Sequence, residues 1–141
     1  MKNVRIYGNV KGLEKKKVHI LIKKLSEMLK FSVESLEINF IKAKKIKNIN
    51  SKYLKHQYST DIITFYYSDM VENIDGEIFI SVDDAIENAK KYKVSLNEEF
   101  ARLVIHGILH LLGFDDRNKK DKIKMKRQEN KLLNTLKFVL L

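Results

Sequence analysis

Two histidines, His106 and His110, stand four residues apart inside the stretch Leu96–Asp116. On a helix, residues at that spacing share one face. The helix is expected to be buried, because Val104, Ile105, Ile108, Leu109, Leu111 and Leu112 leave it almost no polar side. Neutral imidazoles whose rotamers are fixed by apolar neighbours suit a divalent metal; a packed histidine pair with no metal is the plainer alternative. Gly113 is placed to end the helix in left-handed backbone and let the chain turn back. Asp116, six residues after His110, then has the spacing to return to the metal that the helix presents. In the zinc-protease pattern His-Glu-x-x-His the glutamate is a general base, and here that position is Gly107. The metal spacing is present and the protease base is absent.

The elements that must hold this helix follow from periodicity. Residues 2–8 read as a first strand. From Leu13 to Leu29 the apolar residues Val18, Leu21, Ile22, Leu25 and Met28 recur at helical spacing opposite a lysine face. His19 lies beside that stripe as an ordinary, partly buried histidine. Residues 34–42 alternate as a half-buried strand, and 43–55 form a short basic helix or loop. Residues 59–67 are β-branched and aromatic, a strand. An acidic loop over 68–75, with no obvious chemistry, leads to another strand at 76–81, and the two strands can pair as a hairpin. Ser81 and Ser95 are each placed to cap a helix, the second being the histidine helix. A basic terminal helix runs from Lys119 to about Phe138. This order predicts one α+β domain over residues 1–141: a small mixed β-sheet packed with several helices, the metal-binding helix central.

Composition sets the class of partner. The 141 residues carry 28 basic and 18 acidic side chains, a formal net charge of +10 and a pI near 9.6. Such a balance favours a polyanion, either nucleic acid or an acidic membrane surface. With no cysteine, disulfides and thiolate metal sites are excluded. There is no long apolar run and no signal-peptide pattern, so a cytoplasmic protein without a membrane span is expected.

The run His106-Gly107-Ile108-Leu109-His110-Leu111-Leu112-Gly113-Phe114-Asp115-Asp116 resembles the signature His-Gly-x-Leu-His-Leu-x-Gly-Tyr-Asp-His of the YbeY family of bacterial rRNA maturation factors and metal-dependent endoribonucleases. The third histidine of the signature falls on Asp116. Upstream, Asn50, Tyr53, Thr60, Asp61 and Phe65 match the family segment Leu-Asn-x-x-Tyr-Arg-x-x-Asp-x-Pro-Thr-Asp-Val-Leu-Ser-Phe, and Gly76-Glu77-Ile78 looks like its Gly-Asp-Ile.

The resemblance implies an endoribonuclease of single-strand type, acting on rRNA at the 16S 3′ end and in ribosome quality control. It implies one divalent metal, expected to be zinc, on His106, His110 and Asp116. Asp115, matching the family's non-ligand aspartate, would orient the turn or a histidine. The nucleophile would be water on the metal, with no protein base assigned. The partners would be rRNA and the small ribosomal subunit, with no DNA and no membrane. The family's substrate-binding arginine falls on Leu54; Lys55, His56 or Arg102 could supply that cation, although Arg102 could equally pair with Glu98 or Glu99. A non-catalytic, metal-stabilised RNA-binding assembly factor is the second reading. A metalloprotease and a two-histidine-one-carboxylate iron oxygenase rank below it.

Overall fold

The computed structural model describes residues 2–54, 60–70 and 72–141, with the side chain of Leu54 also left aside. Its elements in chain order are β1 (Val4–Tyr7), α1 (Lys15–Leu29), β2 (Ser32–Ile41), α2 (Ala43–Leu54), β3 (Ile62–Tyr66), β4 (Asn73–Ser81), α3 (Val82–Tyr92), α4 (Leu96–Leu111) and α5 (Lys119–Leu136). A 3-10 turn, Lys137–Leu140, follows. The fold is α+β, as expected. The sheet order is β1-β2-β4-β3; β2 is parallel to β1 and β4, and β3 runs antiparallel to β4 at the edge.

Alternation along the strands makes two different faces. Leu36, Ile38 and Phe40 of β2 and Ile74, Ile78 and Ile80 of β4 are buried in one apolar core with α1, α4 and α5. Phe40 meets Phe100 of α4 edge to face at 5.2 Å, a geometry worth about 0.5–1.5 kcal/mol beyond burial. The alternate residues Phe65 and Phe79 pack on each other, and Tyr53 of α2 packs on Phe65, so α2 lies on the opposite face.

Helix α4 crosses the sheet at Gly107. A Cβ there would stand 2.8 Å from the Ile78 Cδ1 and 3.2 Å from the Ile62 Cδ1, so only a glycine lets the helix lie this close to β4 and β3. The expected caps are present: the Ser95 Oγ accepts from the Glu98 amide at 3.0 Å, and the Ser81 Oγ from the Asp84 amide at 3.2 Å. Gly113 takes φ 96°, and the amides of Gly113 and Phe114 bond back to the carbonyls of His110 and Leu109, reversing the chain as its position predicted.

Two boundaries are corrected. The loop read over 68–75 ends earlier, because Asn73, Ile74 and Asp75 belong to β4, paired with β2 from Ser32 onward. The terminal helix stops at Leu136, where the chain tightens into the 3-10 turn.

Candidate metal centre

His106 and His110 occupy successive turns of α4, their rings edge to face with centroids 4.8 Å apart. The reversal at Gly113 brings Asp116 back, and its Oδ2 lies 3.6 Å from the His110 Nε2. One ligand atom from each of the three residues lies within 4.8 Å of the others. Two donors on bonds of ~2.1 Å to one ion stand at most about 4.2 Å apart, so a small closing movement brings all three into range. Asp116, the most exposed of the three at 43%, has the freedom to make it. Two imidazole nitrogens and a carboxylate oxygen are a donor set that fits zinc, manganese or iron.

The rings are prepared for that role. The His106 Nδ1 lies 2.5 Å from the Glu129 Oε1 on α5. The carboxylate fixes the proton on Nδ1 and leaves Nε2 as the donor, the usual support of a metal-binding histidine. Glu129 is only 1% exposed. Its burial alone would push its pKa up, but hydrogen bonds from His106 and Lys126 outweigh that and hold it down at about 2. His110 is held below the usual imidazole range, first by burial and then by the neighbouring His106, against the pull of Asp116 and Asp115. A neutral His110 keeps its lone pair for a cation.

Position 107 faces Ile78 and Ile62 of the sheet, not the cluster. The missing protease glutamate therefore has a geometric reason: its side chain would enter the core.

The sequence profile of endoribonuclease YbeY matches residues 5–137. The chain belongs to the endoribonuclease YbeY family. It is 43% identical to an endoribonuclease YbeY of Chlorobium limicola over 104 residues, 74% of this chain and 72% of the relative. Its identity to an endoribonuclease YbeY of Parabacteroides distasonis is 38% over 125 residues, 89% and 87% of the two chains. The solution structure of TM1509 from Thermotoga maritima has the same fold, with a TM-score of 0.68 at 28% identity, covering 94% of this chain and 88% of that one.

The other predicted residues of this YbeY family member lie as follows. Arg102, one turn before His106, is bound by carboxylates: Glu99 at 2.5 and 2.9 Å, Glu129 at 3.4 Å and Asp61 at 3.7 Å. Desolvation would lower its pKa, but Glu99, Glu129 and Asp61 together raise it, so the guanidinium keeps its charge in a buried ion network. Asn88 of α3 completes that network by donating to both Asp61 and Glu99. The pairing with Glu99 is the helix salt bridge read from the sequence; Glu98 instead faces Lys137 at 3.8 Å. Asp115 accepts from the backbone and the guanidinium of Arg117 and braces the turn. Lys55 and His56 lie outside the described residues. His19 is partly buried on α1, away from the cluster.

Several neighbours of the cluster were missed from the sequence. Glu129 is the foremost. On the His106 and Asp116 side, Lys122 and Lys126 of α5 border a cavity of about 450 Å³. On the His110 side, Tyr66, Ser68 and Asp69 border another of about 370 Å³. The supposedly inert segment after β3 thus forms a wall beside the site.

Proposed function

We propose that the chain is a metal-dependent endoribonuclease that hydrolyses single-stranded RNA at the His106–His110–Asp116 cluster. The observation that carries this reading is the convergence of those three donors at the junction of two open cavities, one of them walled by Lys122 and Lys126. A divalent ion there, zinc by first choice, would supply Lewis acidity for the phosphoryl group and activate water. The protein's own part is positioning. Glu129 holds the proton on the His106 Nδ1, the two imidazoles hold the cation, and the lysines draw the phosphates toward it. The chain acts as one domain over residues 1–141. Its substrate is rRNA, at the 3′ end of the 16S species, in contact with the small ribosomal subunit in the cytoplasm. Among the described residues no helix is long and apolar enough to cross a membrane.

One observation favours the second reading, a metal-stabilised RNA-binding factor without catalysis: Arg102, one turn before His106 on α4, is engaged by three carboxylates. A single set of measurements separates the two. Protein purified without a histidine tag is analysed for metal and incubated with single-stranded and structured RNA. A nuclease carries about one ion per chain and cuts the single strand. Asp116→Ala loses both ion and cutting, Asp116→His recovers the ion with a shift toward zinc, and Asp115→Asn costs less. Cleavage that survives in Asp116→Ala, or an ion bound with no cleavage of any RNA, rejects the nuclease.

A further inference from the structure

The cavity beside His110 differs in chemistry from its neighbour. Its volume is about 370 Å³, and its walls include Tyr66, Asp69, His110, Phe114, Asp115 and Arg117. Tyr66 is the last residue of the edge strand β3 and is 67% exposed. Alternation puts it on the same side of β3 as Ile62, the side that α4 crosses at Gly107. An aromatic ring is therefore held at the mouth of the site by a hydrogen-bonded strand, with Phe114 partly buried beneath the same cavity. The charges are the second observation. On a chain of net charge +10 this cavity has two carboxylates and one guanidinium, and the Arg117 guanidinium is already engaged by Asp115 at 2.5 Å. The charges of that pair cancel and Asp69 remains, so among the described residues these walls offer a phosphate no unpaired cation. They accept hydrogen bonds from the amino and imino groups of a base. The cavity on the His106 side is richer in cations, with Lys122 and Lys126 at its edge, Lys126 reaching back to Glu129 at 2.9 Å.

We propose that the His110-side cavity is a base-binding subsite, in which Tyr66 stacks on one unpaired base of the nucleotide next to the bond that is cut. The phosphates then run past Lys122 and Lys126 on the other side of the cluster. The inference rests on the reading that RNA is what this site takes, and it supplies the reason for a single-strand preference. Only a base splayed out of a helix can reach a ring in a cavity.

The test uses short single-stranded RNAs carrying 2-aminopurine at successive positions, titrated with full-length protein in the presence of a chelator so that no bond is cut. Stacking quenches the fluorescence at one position only. Tyr66→Ala abolishes that quenching and weakens binding roughly 5- to 150-fold, the range for loss of one stacked base, and Tyr66→Phe restores both. An abasic nucleotide at the quenched position weakens wild-type binding by a similar factor and adds nothing in Tyr66→Ala. RNA bound without position-dependent quenching, or equally by wild type and Tyr66→Ala, overturns the subsite. Quenching that depends on Tyr66 in a protein that cuts no RNA when loaded with metal supports the subsite and overturns the nuclease reading alone. Absence of RNA binding overturns both.

Discussion

Glu129 decides which nitrogen His106 can offer. Removing the carboxylate frees the ring to rotate and to exchange tautomers. Glu129→Ala is therefore expected to weaken metal binding ten- to a hundredfold, as measured by competition against a chelating dye. Metal affinity equal to wild type would show that the contact is only structural. The same residue has a signature in the metal-free protein. Its folded pKa of about 2 lies below the unfolded value of 4.5, so its contribution to stability is fully present above pH 4.5 and is lost as the pH falls toward 2. Glu129→Gln should flatten that part of the acid unfolding curve. The clustering of His106, His110 and Asp116 was legible in the sequence because their spacing is local: two turns of one helix and the glycine reversal after it. Glu129 is 23 positions from its partner, and no spacing rule connects them. Its one local sign is a carboxylate standing in the buried stripe of Met125, Leu132 and Leu136 on a mainly basic helix whose other acid, Asp121, lies in the first turn. An acid in such a stripe calls for a buried partner.

At the level of elements, the close crossing of α4 over β4 and β3 sets where the histidines stand. Gly107→Val would drive two methyl groups into Ile78 and Ile62 and should cost about 2 kcal/mol or more, read as a lower urea midpoint. Unchanged stability would mean that the helix can lift off the sheet at little cost. The helices were readable from their caps and periodicity, since Ser81 and Ser95 act within three residues of themselves. The start of β4 was not. Asn73, Asp75 and Gly76 look like turn residues, yet β4 is central and has β2 on one side and β3 on the other. Pairing with Ser32 and Val33, distant in sequence, overrides the local preference. The Tyr66 wall was hidden for the same reason: only the sheet brings the end of β3 next to the end of α4.

Across the whole molecule, the positive charge is unevenly placed around the site. If Lys122 and Lys126 contact phosphates, the slope of log affinity against log salt on single-stranded RNA should fall by about 1.4 in the double alanine variant, about 0.7 per contact. Changing Lys23 and Lys24, exposed on α1 outside both cavities, should leave the slope as it was. An equal loss from both pairs would mean that RNA is held by diffuse charge and not along this path. The ion network reaches further than the site. Arg102 on α4 touches Asp61 ahead of β3 and Glu129 on α5, Asn88 of α3 joins it, and Asp116 lies in the connection between α4 and α5. An ion held there would tie the α4–α5 connection, through Asp116, to the α4–α5 contact that Glu129 makes with His106. Backbone amides of α5 should then exchange with deuterium more slowly in the loaded protein than in the metal-free one, and equal exchange would show that the ion does not brace that helix.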